Sequence, residues 1–310
     1  MVKREFTFPS ADGKTAIHAV EWLPEGAPRA VLQIAHGVSE YVLRYEDFAG
    51  YLTERGFAVV GNDHLGHGLS VSDGAPRLYF GPKGSWNWVV EDMEQLRKLT
   101  HEKFPNLPYF LLGHSMGSFL TRTLLFRYPD AGLRAAVICG TGWFPGPLCS
   151  VARAAAALCG AFGGWQKPAP LVDRLMSKDN NKAFAPARTP FDWLSRDTVE
   201  VDKYIADPRC GFLFTARGYY DMFTGLKNLS RLHRLAALPG DLPVLFISGD
   251  ADPIGTQGKG VNTVAQQFRD AGVRDVTVHL YPGARHELFN ETNRDEITAE
   301  LIDWLNRHMK

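Results

Sequence analysis

The sequence predicts an α/β protein: a mostly parallel, eight-stranded sheet with helices on both faces and an inserted helical cap. Three observations predict it. Apolar runs alternate with amphipathic segments over residues 1–140, the alternation breaks over 141–240, and it resumes over 241–310. Alternating strands and helices build a parallel sheet covered on both sides. Connections inside such units normally run about 2 to 6 residues, so a break of about 100 is an inserted subdomain or lid and not a loop. The expected division is a core from 1–140, a cap from 141–240, and the rest of the core from 241–310.

The elements follow in chain order. Residues 4–8 read as a short strand, and Ala11-Asp12-Gly13 as a turn. Residues 16–23 (AIHAVEWL) alternate in part, as a strand with one wet face does. Residues 30–35 (AVLQIA) are nearly all apolar, as in a strand buried on both faces. Phe48, Tyr51 and Leu52 recur at helical spacing, and Gly56 stands where a glycine would end that helix. Residues 57–60 form another buried strand, followed by a polar loop over 61–72. A long helix is expected near 88–103, with Val89, Met93, Leu96 and Leu99 on one side. Residues 108–112 (PYFLL) are a strand, 116–127 a helix, and 133–139 (LRAAVIC) a further strand. Beyond the break come a strand at 242–248 (LPVLFIS), a helix near 261–271 and a last strand at 276–281 (VTVHLY). The closing helix, near 294–309, has Ile297, Leu301, Trp304 and Leu305 on its apolar face.

Composition bounds the function. The chain has 310 residues, enough for one large domain carrying an insertion. Apolar residues make up 45% and charged residues 22%, as in soluble globular proteins. The 34 basic and 34 acidic side chains cancel. That removes the electrostatic case for nucleic acid or any other polyanionic partner. Cys139, Cys149, Cys159 and Cys210 form no C-x-x-C pair, which argues against a zinc site or redox motif and for reduced, packed thiols. Residues 1–14 are polar, without the apolar stretch of a signal peptide, so a cytoplasmic location is expected. The most membrane-like stretch, 148–165, is interrupted by Arg153 and weakened by three glycines. A spanning helix needs about 20 apolar residues, so this one is read as non-spanning.

The chemistry centres on Gly113-His114-Ser115-Met116-Gly117, a G-x-S-x-G motif directly after a strand and before a helix. In that context the serine occupies a sharp turn, its hydroxyl stands above the sheet edge, and the following helix points its N-terminus at the reaction centre. Ser115 is the candidate nucleophile, and the Met116 amide a candidate oxyanion donor. A serine needs a base, and the base an orienting acid, met in the order Ser, Asp or Glu, His. Gly249-Asp250-Ala251-Asp252-Pro253 follows one strand and Gly283-Ala284-Arg285-His286-Glu287 follows another, so both reach the carboxyl edge where ligands collect. Asp252 is preferred to Asp250, which suits a local turn bond. His286 is preferred to His279 and His308, which lie inside elements, and to His64 and His67, which precede the serine. The second oxyanion donor is expected at the Val38 amide, with His36 bracing that loop.

These features together resemble the monoacylglycerol lipase and lysophospholipase branch of the α/β-hydrolase superfamily, over about residues 6–305. The marks are His36-Gly37 with Glu40 and Arg44-Tyr45, the glycine-rich segment from Asp63 to Ser70, the serine motif, and the two loops just quoted. The resemblance implies a carboxylic ester hydrolase working through an acyl-enzyme, with no metal or cofactor and a small-molecule acyl ester as partner. It implies a helical cap over an apolar acyl tunnel. Residues matching Glu40 and Arg44 help form a polar glycerol pocket in such enzymes, while a structural ion pair is the other reading. The histidine usual after that glutamate is Tyr41 here. The apolar 148–165 segment is expected either to line the acyl route or to pack against the core, with at most transient membrane contact through the cap. A short-chain or aryl esterase, a thioesterase, an aminopeptidase and a non-catalytic receptor remain the rivals.

Overall fold

The computed structural model describes residues 1–231 and 238–310; part of the expected cap, 232–237, lies outside the described residues. Eight strands form one sheet: β1 (Val2–Pro9), β2 (Ala16–Leu23), β3 (Ala30–Ala35), β4 (Phe57–Asn62), β5 (Tyr109–His114), β6 (Ala135–Cys139), β7 (Val244–Gly249) and β8 (Val276–Tyr281). Their order is β1-β2-β4-β3-β5-β6-β7-β8. β2 runs antiparallel to both β1 and β4, and every pairing from β4 to β8 is parallel.

Side chains that alternate along the strands feed two different cores. From β3, Val31 and Ala35 enter one cluster while Ala30, Leu32 and Ile34 enter the other. On the first face lie α2 (Trp86–Lys103) and α3 (Met116–Arg127), through Val89, Met93, Leu96, Leu120 and Leu124. On the same side α8 (Lys259–Asp270) packs Val261, Val264 and Phe268 against Ile138, Val244 and Phe246. On the opposite face lie α1 (Glu46–Thr53) and α9 (Arg294–Arg307), through Phe48, Leu52, Ile297, Leu301 and Trp304. Helices therefore cover both faces, as a parallel sheet requires.

One expectation is corrected. The partial alternation in β2 predicts a wet face, yet six consecutive residues of it are buried. β1 pairs along its outer edge, and the polar residues that create the alternation are buried with partners. His18 Nδ1 lies 2.9 Å from Asp63, and Lys103 reaches Glu21 at 2.6 Å.

Between β6 and β7 the described residues hold α4 (Gly146–Gly163), α5 (Pro170–Ser177), α6 (Thr198–Ala206) and α7 (Ala216–Leu229). α4 is long and apolar enough to cross a membrane, but it lies along α7 and buries Cys149, Ala156 and Gly160. All four cysteines are free thiols, and Cys139, Cys149 and Cys210 are buried.

Candidate active site

β5 ends at His114 and α3 begins at Met116, so Ser115 alone makes the turn between them. Its backbone sits at φ 51° and ψ −118°, a strained conformation for a serine. The turn closes tightly enough to dictate Gly117: a Cβ there would stand 2.0 Å from the Ala35 carbonyl oxygen. The Ser118 hydroxyl donates to the Ser115 carbonyl at 2.6 Å and holds the turn from the helix side.

Asp252 lies three residues beyond β7 and His286 five beyond β8. His286 Nδ1 is 2.9 Å from Asp252 Oδ2, and both residues are buried. Asp252 Oδ1 accepts the Ile254 amide at 2.8 Å, and the Ser248 hydroxyl donates to Oδ2 at 3.3 Å. The carboxylate thus has donors on both oxygens, which directs the Nδ1 proton of His286 toward it and leaves Nε2 as the basic nitrogen. Asp250 is exposed and accepts the Gly283 amide at 2.7 Å, tying the two loops together. Ser115 and His286 line one cavity. Among the described residues the Ser115 hydroxyl is not hydrogen-bonded to the ring; such contacts commonly tighten only when substrate binds.

The opposite wall is the loop after β3. A Cβ on Gly37 would lie 2.6 Å from Glu40 Oε1 and 3.2 Å from Ser115 Cβ, so only glycine lets this loop approach. Val38 lines the cavity and the Met116 amide opens α3. His36 braces the loop: its Nδ1 sits 2.7 Å from the Gly37 carbonyl, and its Nε2 accepts the His64 amide at 2.9 Å. Burial, reinforced by the neighbouring His36, lowers the pKa of His64 and His67, the latter to about 3.

Glu40 and Arg44 form a buried ion pair at 2.6 Å. Arg44 also binds Glu287 with two parallel hydrogen bonds of 2.8 and 2.7 Å. Glu40 Oε1 accepts the Gly37 amide at 2.5 Å and the Tyr45 hydroxyl at 2.9 Å. Burial opposes its charge, but Arg44 and then His114 hold the carboxyl well below the usual carboxylate range. Glu40 borders the cavity, whereas Arg44 lines a separate outer groove. Tyr41 lies in that groove too, with its hydroxyl bonded to Asp207 and Arg209 of the cap. Tyr41 thus clips this loop to the segment between β6 and β7.

The cavity measures about 380 Å³. Its walls include Phe191, Trp193, Leu194, Phe212, Phe214 and Tyr219, and α5 adds a polar flank with Asp173 and Ser177. Trp193 lies 4.9 Å from His286, ring centre to ring centre. Of the two readings of 148–165, packing against the core holds and lining the acyl route does not, because no residue of that segment lines this cavity. Leu148, Val151, Leu158 and Phe162 face outward instead, Phe162 with 90% exposure. A larger groove of about 820 Å³ runs past His101, Tyr128 and Arg134 and touches none of the candidate site residues. Sequence reasoning missed Trp193, Tyr219 and Glu287 as site residues. Glu287 had one signal, its place beside His286; Trp193 and Tyr219 had none beyond lying in the cap.

A sheet of this order, with a serine turn at one strand end and a paired aspartate and histidine at two others, defines an α/β-hydrolase. Residues 26–293 match the hydrolase family described as serine aminopeptidase, S33, and the chain belongs to it. The chain is 29% identical to a monoacylglycerol lipase of Mycolicibacterium smegmatis, over 99% of this chain and 98% of that one. It is 27% identical to the human monoglyceride lipase, over 92% and 84% of the two chains. A carboxyl esterase from Bacillus coagulans, solved in complex with glycerol, superposes with a TM-score of 0.91 at 30% identity, with full coverage of both chains.

Proposed function

We propose that this protein is a serine carboxylic ester hydrolase that cleaves a lipid-like ester of the monoacylglycerol type through an acyl-enzyme. One observation carries the substrate class: the cavity joining Ser115 and His286 has aromatic and aliphatic walls, including Phe191, Trp193, Leu194 and Phe214, with polar side chains contributed by Glu40, Glu287 and residues 173–181. Such a cavity suits an amphiphile with an apolar acyl chain and a small polar group. The lipase and esterase relatives support the same reading.

In the proposed mechanism His286 Nε2 takes the Ser115 proton as the oxygen attacks the ester carbonyl. The Val38 and Met116 amides receive the oxyanion. His286 returns the proton to the leaving alcohol, then activates water to release the acid. Asp252 orients the ring and stabilises its cationic form. Glu40 and Arg44 act in this scheme as a brace for the oxyanion loop, since hydrogen bonds from the protein itself occupy both carboxylate oxygens.

The family description raises peptide hydrolysis as a second reading. An aminopeptidase must hold a substrate ammonium, which needs a free carboxylate. Glu40 and Glu287 are both committed to Arg44, and Asp173 accepts the Tyr219 hydroxyl at 2.7 Å. Turnover of monoacylglycerols, p-nitrophenyl esters of graded chain length and aminoacyl anilides separates the readings. Ester turnover should fall by about 10⁴-fold or more in Ser115→Ala, with loss of fluorophosphonate labelling. A variant that still turns over and labels fully would remove Ser115 from the mechanism, and faster cleavage of the anilides would replace the ester reading.

A further inference from the structure

Directly before Ser115 stands a buried titratable side chain that the mechanism above does not use. His114 Nε2 lies 3.2 Å from the backbone carbonyl oxygen of His286. His114 Nδ1 lies 3.0 Å from the Tyr45 hydroxyl and 3.2 Å from Glu40 Oε1. The two imidazole rings pack with centroids 4.9 Å apart, and a Cβ on Gly140 would press on both, 3.2 Å from the His114 ring and 3.3 Å from the His286 ring.

We propose that His114 is a positioning residue, held as an imidazolium that ties the backbone of the base His286 to the Glu40 brace of the oxyanion loop. The inference rests on the assignment of Ser115 and His286 made above.

The hydrogen-bond chemistry favours the charge. A carbonyl oxygen only accepts, so Nε2 must carry a proton. The Tyr45 hydroxyl has one proton for two contacts, Glu40 Oε1 at 2.9 Å and His114 Nδ1 at 3.0 Å; when the shorter contact takes it, the hydroxyl offers the ring an acceptor, as the carboxylate does. In that arrangement both ring nitrogens face acceptors, and both carry protons. A neutral ring with Nδ1 bare would aim a lone pair at a carboxylate oxygen 3.2 Å away, in a site where the two side chains are 5% and 3% exposed.

The surrounding charge agrees. The groups facing His114 are the Glu40 and Glu287 carboxylates, the Arg44 guanidinium, the Tyr45 phenol, the neutral His36 and the His286 ring. Glu40 and Glu287 carry two negative charges and Arg44 one positive. A cationic His114 brings the buried group to zero. Burial opposes that charge, but Glu40 outweighs it and raises the His114 pKa above the ordinary histidine value.

The ligature spans two working parts of the site. Asp252 orients the His286 ring from its edge, while His114 anchors the backbone that carries the ring. Glu40 Oε1, the oxygen near Nδ1, also takes the Gly37 amide at 2.5 Å and so fixes the turn before Val38. Releasing His114 frees the base and the oxyanion loop to drift apart, and a displacement of about 1 Å can cost about 10²-fold in rate.

The test uses His114→Phe, which keeps a ring without N–H groups, and His114→Gln, whose amide can donate toward the His286 carbonyl without charge. With a soluble p-nitrophenyl ester, kcat should fall about 10²-fold in the Phe variant while KM changes little. The Gln variant should recover about tenfold of that loss. In the wild type kcat should decline on the alkaline side as His114 deprotonates, and the Gln variant should lack this decline. ¹⁵N spectra of ring-labelled wild-type protein at pH 7.5 should show both His114 nitrogens protonated. A neutral His114 ring, or a folded Phe variant with wild-type kcat and pH profile, would overturn the proposal. Should the Phe variant fail to fold, the Gln profile and the wild-type spectrum decide the matter. Failure of the parent assignment is separate and would appear as turnover surviving in Ser115→Ala.

Discussion

In the proposed mechanism Asp252 controls the base through a single hydrogen bond. Its Oδ2 accepts from His286 Nδ1, and its Oδ1 is held by the Ile254 amide. Asp252→Asn preserves size and removes charge, and it can invert the bond so that the ring presents the wrong tautomer to Ser115. A drop in kcat of about 10⁴-fold at pH 7.5, in a protein with an unchanged circular dichroism spectrum, is the expected result. Asp92 illustrates a different residue-scale effect, far from the chemistry. Burial pushes its carboxyl up to about 7, although Ser10 and the Ala11 amide donate to it. Between its ordinary value of 3.8 and about 7, the folded chain holds a proton that the unfolded chain has released. Stability therefore declines as pH rises through that window and this contribution is level above it. Asp92→Asn should lack the slope, so its melting temperature relative to wild type should be more favourable at pH 8 than at pH 5. At this scale the sequence was informative wherever chemistry announces itself locally. Ser115, Asp252 and His286 each stand just beyond an apolar strand. The part played by His114 was not legible, because it depends on Glu40 and His286, 74 and 172 residues away.

At the scale of elements, strands were legible because burial on both faces forces unbroken apolar runs, as in β3 and β7. β2 misled because buried, partnered His18 and Glu21 look like solvent-facing residues when their partners are invisible. α4 misled in the other sense. An apolar helix does not declare which of its faces meets the cavity, and this one gives the small residues Cys149, Ala156 and Gly160 to the interior and larger ones to the outside. That outward face has an expected consequence. Leu158→Asp with Phe162→Asp should leave hydrolysis of a dissolved short-chain ester within about twofold, since neither residue lines the cavity. The pair should reduce hydrolysis of monoacylglycerol presented in vesicles, because burial of each large apolar side chain at an interface is worth about 1.5–3 kcal/mol. Equal rates on both substrates would show that α4 meets no lipid surface.

The whole molecule is organised so that distant stretches of chain converge on one edge of one sheet. Arg44 sits between Glu40, near the start, and Glu287, near the end. Replacing it with Leu leaves two buried carboxylates facing each other without a cation. Arg44→Leu should lower the unfolding free energy by about 3–5 kcal/mol in denaturant titrations, and the loss should shrink in an Arg44→Leu, Glu287→Gln double variant. The same linkage bears on the order in which the protein comes into being. Closing a contact between positions 44 and 287 is expected late in folding, since long-range contacts carry the greatest loop-closure cost. Helical structure should return early in refolding and esterase activity only with a slower phase, seen by following ellipticity and ester turnover in parallel after dilution from denaturant. A chain emerging from the ribosome would then hold its serine turn long before that turn had a base, and would gain its chemistry in one late step rather than by degrees.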